Sequence, residues 1–228
     1  RGFDLGCGGG RWARIAARRV GELHCIDPSE AALEVARRNL VDCGNCSLHL
    51  AGVSDIPLPD RSMDFGYCLG VLHHVPDPQA GLEACARKLK TGAPFLAYLY
   101  YALDNRPAWY RLLWRLTDAV RQVVSGLPFA VRCRVTDLIA LLVYWPVARF
   151  AALMERLGFR VDAFPLSLYR NRSFYLMRND ALDRFGTSLE LRFTRTEVQR
   201  MLEQAGFERI RFSERWPFWC AVGYKADS

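Results

Sequence analysis

Two hydrophobic rhythms alternate along the first hundred residues. Short apolar runs bounded by Gly, Pro or Asp mark strands, and apolar residues at three- and four-residue spacing mark helices. The chain opens in the tail of a strand, turns at a glycine-rich stretch and enters a helix over roughly Trp12–Arg19. Leu23–Ile26 is the next apolar run and stops at Asp27. Ala31–Leu40 has helical composition, and Ser47–Leu50 is a short third strand. The fourth strand lies in Ser62–Gly70, from Asp64 onward. Gln79–Leu89 puts Leu82, Cys85, Ala86 and Leu89 on one helical face. Pro94–Tyr101 is almost wholly apolar, as a parallel strand buried on both faces should be. Far downstream, Thr194 and Glu197 make a capping box ahead of the stripe Val198, Met201, Leu202 and Ala205. Glu208–Ser213 and Phe218–Tyr224 then read as a terminal pair of strands. Strands alternating with helices predict an α/β fold.

The first turn carries the candidate chemistry. Asp4, Gly6, Gly8 and Gly10 stand at alternate positions in RGFDLGCGGGRW. Glycines there let the backbone turn sharply and approach a ligand closely, and the following helix aims its N–H groups at it. Counting from Gly6, the sixth position is Arg11, so the dinucleotide fingerprint G-x-G-x-x-G fails, and no G-K-[ST] follows either. Asp27 lies nineteen positions after Gly8. An acidic residue at that distance, ending the second strand, hydrogen-bonds ribose hydroxyls. Asp27 also precedes Pro28-Ser29-Glu30, a good helix start, and one carboxylate can serve both ends.

These residues resemble motif I of class I S-adenosylmethionine-dependent methyltransferases, of the small-molecule, type 11-like kind. Val71-Leu72-His73-His74-Val75-Pro76-Asp77-Pro78 is similar to the family's v-L-x-H-v-x-D-p motif, and Phe193-Thr194-Arg195-Thr196-Glu197 with Ala205-Gly206-Phe207 to its last helix and hairpin. The resemblance covers Arg1–Tyr101 and Phe193–Lys225. It implies a Rossmann-like, mostly parallel seven-stranded sheet with an antiparallel last strand, its core at residues 1–101 completed by 193–228. It implies S-adenosylmethionine as cofactor, with Asp4 near the cationic amino acid end. Gly6, Cys7, Gly8 and Gly10 would form the loop, Asp27 and Pro28 the ribose side, Val53 and Ser54 the adenine side, and Leu69 the end of the fourth strand. His73 would face the transferred methyl as the candidate base, while His74 packs and hydrogen-bonds the loop. Two positions depart from the pattern: Gly52 stands where an acidic residue often meets the adenine amino group, and Lys90-Thr91-Gly92 matches k-P-G-G only partly. The family often has a covering helix before this first strand. Because the chain opens inside the strand without a Met, a truncated N-terminus is expected.

Residues 102–192 lie outside the resemblance and read as a helical substrate-cap insertion. Trp109–Val124 is a helix with a basic face, and Asp137–Leu157 is more apolar. Its Leu138–Ala148 run is eleven residues long with Pro146 inside it, whereas a span needs about twenty. The expectation is a core or interfacial helix pair with no transmembrane segment, open to peripheral membrane contact.

Net charge is +7, and between Ala102 and Phe193 fourteen Arg, no Lys and eight acidic residues leave +6. That concentration points to an anionic substrate or surface, with Tyr101, Tyr169, Arg170, Arg172 and Tyr175 as candidate substrate contacts. Asp180 and Asp183 could instead tie arginines into structural ion pairs. The eight cysteines are scattered, and Cys43-Gly-Asn-Cys46 has no second pair, so no metal is expected and a reducing, cytoplasmic setting is. The expected reaction is methyl transfer to a small-molecule or lipid- or glycan-like acceptor with an anionic part. Nucleic acid fits less well, since the fourth strand lacks (N/D)-P-P-(Y/F). An RNA methyltransferase and a non-catalytic S-adenosylmethionine-binding subunit are the alternatives.

Overall fold

The computed structural model describes residues 1–105, 107–162, 164–214 and 219–227. Within them the chain divides into two compact units, Arg1–Asp104 with Leu191–Ser228, and Asn105–Glu190.

The first unit holds one seven-stranded sheet: β1 Gly2–Leu5, β2 Leu23–Asp27, β3 Cys46–Leu50, β4 Phe65–Leu69, β5 Pro94–Tyr98, β6 Phe207–Phe212 and β7 Cys220–Lys225. Their order across the sheet is β3-β2-β1-β4-β5-β7-β6. Pairing is parallel from β3 to β5, while β7 runs antiparallel to both β5 and β6. The expected start of the last strand, Phe218, lies outside the described residues. Helices α1 Ala13–Ala17, α2 Glu30–Asn39 and α3 Pro78–Lys88 follow β1, β2 and β4. Apolar strand residues make the core: Phe3, Leu23, Cys25, Ile26 and Phe95 are fully buried, and Phe95 stacks on Phe207 with ring centroids 5.2 Å apart. Cys7 and Cys25 belong to this core, where a free thiol packs as a small hydrophobe. Strand order reverses between β1 and β4, the place in an open parallel sheet where ligands collect at the carboxyl ends.

The second unit is helical: α4 Ala108–Ser125, α5 Phe129–Ile139, α6 Trp145–Arg156 and α7 Phe174–Gly186. A π-helical segment, Ala140–Tyr144, joins α5 to α6, so Phe129–Arg156 is one uninterrupted helix of 28 residues. The second expected helix, Asp137–Leu157, thus begins earlier, at Phe129. Pro146 does not break the run because the π segment ends just before it and seats it in the first turn of α6, where its missing N–H is least costly. The length argument against a membrane span falls with it: by length and composition this helix is long and apolar enough to cross one. Its small face, Ala140 and Ala148 with Tyr144, packs with Met177, Ala181 and Phe185 of α7 and Val124 of α4.

After the second unit, α8 Arg195–Gln204 returns to the first. The Thr194 hydroxyl accepts from the Glu197 N–H and the Glu197 carboxylate accepts from the Thr194 N–H, so the capping box forms as the spacing predicts.

Candidate active site

The loop after β1 is held by backbone geometry and one carboxylate. Gly6 and Gly8 have φ of +76° and +52°, conformations that suit glycine. A Cβ at Gly6 would lie 2.2 Å from Val71 Cγ2, whereas a Cβ at Gly8 would meet nothing within 4 Å and would project into open space. The N–H groups of Gly6 and Cys7 both donate to the Ile26 carbonyl, at 2.7 and 3.0 Å. Asp27 Oδ2 accepts from the Gly8 N–H at 2.8 Å, and Oδ1 accepts from the Ser29 N–H at 2.9 Å. The cap of α2 itself is Ser29, whose side chain accepts from the Ala32 N–H. Asp27 thus fastens the glycine loop to the start of α2. A carboxylate has about four acceptor sites, so two such bonds leave capacity for ribose hydroxyls.

Asp4 is 2% exposed at the middle of β1. Burial pushes its carboxyl up to about 7, opposed in part by the neighbouring Tyr67 hydroxyl and reinforced by the charge of Asp27. Its Oδ2 meets no hydrogen-bond donor among the described residues. A buried carboxylate oxygen without a partner suits a cationic group such as the ammonium of an amino acid end. This orphaned oxygen, the open space at Gly8 and the remaining acceptor sites of Asp27 fit S-adenosylmethionine.

A cleft of about 660 Å³ opens at this end of the sheet, entirely within the first unit. Gly6, Pro28, Val53 and Ser54 line it, as do Gly70, Val71 and His74. Three expected site residues serve other ends. Gly10, at φ +77°, faces Leu40 and the α2 backbone, so it admits a close helix approach rather than a ligand. Cys7 packs into the core beside Ala13 and Cys25. Leu69 packs against the same core, and the following residue, Gly70, borders the cleft in its place.

The two histidines exchange their expected positions. His73 is fully buried, stacked on Tyr100 with centroids 3.6 Å apart, and its Nδ1 accepts from the Tyr100 N–H at 3.4 Å. The Arg192 guanidinium lies 5.3 Å from the Tyr100 ring centroid. Burial first, then the charges of His74 and Arg192, holds the His73 imidazole down at about 2. His73 is therefore a neutral ring inside the wall and is not presented to the cleft as a base. His74 is the histidine that lines it. The sequence motif marks the pair but holds no signal for which ring turns inward, because that depends on Tyr100 and Arg192.

The expected substrate contacts are also redistributed. Tyr101 is buried, bridges to Phe193 and meets Trp219 edge-on. Tyr169 donates its hydroxyl to Asp180 Oδ2 at 2.8 Å. Arg170 pairs with Glu155, its Nη2 2.8 Å from Oε1, and donates to the Ser167 carbonyl. These bonds brace the helical unit. Arg172 and Tyr175 remain exposed.

Comparison with known proteins agrees with this geometry. A family model described as a methyltransferase domain matches residues 3–97. A ubiquinone biosynthesis O-methyltransferase of Alkalilimnicola ehrlichii is 37% identical over 110 residues, 47% of this chain and 43% of that protein. The protein of the same name from Azoarcus sp. is 31% identical over 167 residues, 66% of this chain and 71% of the relative. Against several such relatives the match spans less than half of their length. An S-adenosylmethionine-dependent methyltransferase structure from Thermotoga maritima superposes with a TM-score of 0.52 at 15% identity, covering 100% of this chain and 82% of that one, which shows the fold alone. With the glycine loop, the twice-bonded Asp27 and the sheet order in place, the chain belongs to the class I S-adenosylmethionine-dependent methyltransferases.

Proposed function

We propose that this enzyme methylates a hydroxyl oxygen of a small-molecule acceptor with a lipid-like or anionic part. The observation that carries the reading is the cleft that joins the glycine loop and Pro28 on one side to Val71 and His74 on the other, so that cofactor and acceptor would share one cavity. The names of the relatives, ubiquinone biosynthesis O-methyltransferases, support oxygen as the acceptor atom. Asp4 would bind the amino acid end, Asp27 the ribose, and Val53 and Ser54 the adenine edge, with Gly52 leaving that edge to backbone groups. Bound there, S-adenosylmethionine supplies an electrophilic methyl group that an in-line nucleophile displaces. The protein's contribution is alignment and exclusion of water, since a near-attack separation of about 3–3.5 Å supplies most of the advantage. His74 takes the proton of the acceptor hydroxyl, while His73 fixes the wall behind it. Eight free cysteines support a reducing, cytoplasmic setting.

Calorimetry of S-adenosylhomocysteine followed by transfer of radiolabelled methyl to phenolic acceptors tests the proposal. Hydrogen bonds to a charged group contribute about 1.5–3 kcal/mol, so Asp27→Ala weakens binding roughly 10- to 150-fold. Tight binding with transfer to phenols is the expected result. Binding without turnover on any acceptor would mark a non-catalytic subunit, and transfer to RNA alone would replace the acceptor class.

A further inference from the structure

The helical unit has a small apolar core and carries many of its large apolar residues on its surface. On α4 the side chains turned inward are largely polar. Arg121 pairs with Asp118 and donates to the carbonyls of Thr187 and Ser188, and Arg184 lies beside Glu190 and over the Trp114 ring. Its apolar residues Trp109, Leu112, Leu113, Leu116, Val120 and Val123 are all exposed. At helical spacing these six fall on one stripe. The long helix Phe129–Arg156 packs through small apolar residues and likewise leaves large ones outside. It turns Ala140 and Ala148 inward, leaves Leu138, Leu142, Trp145 and Leu153 exposed, and only 22% of its most apolar window is buried. Among the described residues, 20 of the 25 exposed large hydrophobic ones lie in Asn105–Glu190. A water-facing surface of that kind marks a contact.

Charge selects the partner. The same segment carries thirteen Arg, no Lys and seven acidic residues, a net +6 in a chain of +7. Arg111 and Arg115 are exposed on α4, Arg115 beside the stripe, and Arg134, Arg156 and Arg160 are exposed on and after the long helix. An apolar stripe flanked by cations fits the interface of an anionic bilayer, where apolar side chains enter the acyl boundary and guanidinium groups meet phosphates. A second copy of the chain would bring the same excess of positive charge to the contact.

We propose that the exposed face of Asn105–Glu190, centred on the α4 stripe, docks on an anionic membrane surface. The proposal does not depend on the acceptor's identity.

Co-sedimentation of the chain with vesicles of phosphatidylcholine, alone and with about one third phosphatidylglycerol, tests it. Wild type is expected to partition onto the mixed vesicles and to be released by about 0.5 M salt, since a screening length of a few ångströms removes surface attraction. The triple variant Leu112→Glu/Leu116→Glu/Val120→Glu is expected to lose at least tenfold in partition while keeping the helical circular dichroism and the thermal transition of the wild-type helical unit, which certify its fold. A second variant, Arg111→Gln/Arg115→Gln, keeps the apolar face and is expected to lose preference for the anionic lipid. Failure of folded wild type to bind the mixed vesicles overturns the proposal. So does a dimer by light scattering that the triple variant dissolves, because the face would then belong to a second copy. Equal binding to neutral and anionic vesicles would overturn the role of the arginines.

Discussion

Asp4 and His73, both buried in the first unit, are displaced in opposite senses, Asp4 up to about 7 and His73 down to about 2. Between about pH 4 and 6.5 the folded protein holds a proton on Asp4 that the unfolded chain has lost, so lowering the pH stabilises the fold through this group. In the same window His73 stays neutral when folded but takes up a proton when unfolded, so lowering the pH destabilises. Each contributes a slope of up to about 1.4 kcal/mol per pH unit, and the two offset. Wild type should therefore show a shallow profile in denaturant titrations from pH 6.5 to 5. Asp4→Asn should lose stability as pH falls, and His73→Asn should gain it. A flat profile in both variants would contradict the two assignments. With Asp4 as the proposed partner of the amino acid end, cofactor affinity is expected to follow this group. Its carboxylate form attracts a cationic amino acid end, so binding should weaken by up to tenfold per pH unit below 7, and Asp4→Asn should remove that dependence in calorimetry.

Within single elements, the glycine turn separates strain from space. At Gly6 a Cβ would strike Val71 in addition to the cost of a positive φ, and at Gly8 it would find open space. Gly8→Ala should cost about 1 kcal/mol of stability and abolish most cofactor binding, because the new methyl occupies the cradle. Gly6→Ala should cost more, by a further 1–3 kcal/mol for the overlap, visible as a larger fall in Tm. Equal losses in both variants would mean that the Gly8 space is not a binding cradle. Boundaries of most strands and helices were legible in the sequence to within one or two residues, since apolar runs, Asp27, the capping box and Gly206 are local signals. The long helix was not, because Pro146 reads as a breaker unless the π segment before it is known.

The division into two units has a thermodynamic consequence. The cleft and its loop lie wholly in Arg1–Asp104 with Leu191–Ser228. A ligand that binds only the folded form adds about 2.7 kcal/mol at a hundred times its Kd. Scanning calorimetry should show two transitions, of which S-adenosylhomocysteine raises one by several degrees and leaves that of Asn105–Glu190 within about a degree. A single transition that shifts as a whole would show that the units unfold together.

Sequence alone determined what rests on backbone conformation and near-neighbour hydrogen bonding: the D-x-G-x-G-x-G turn, Asp27 at the end of its strand, the alternation that yields the α/β sheet, and the cap of α8. These need only a fixed spacing, so they are written in consecutive residues. The folded chain decided whatever depends on partners distant in sequence. Tyr100 and Arg192 enclose His73 and leave His74 at the cleft, Glu155 and Asp180 bind Arg170 and Tyr169, and the polar contacts of Arg121 and Arg184 turn α4 so that its apolar stripe faces outward. A side chain's hydrophobicity does not say which way it points when a buried guanidinium holds the opposite face of its helix.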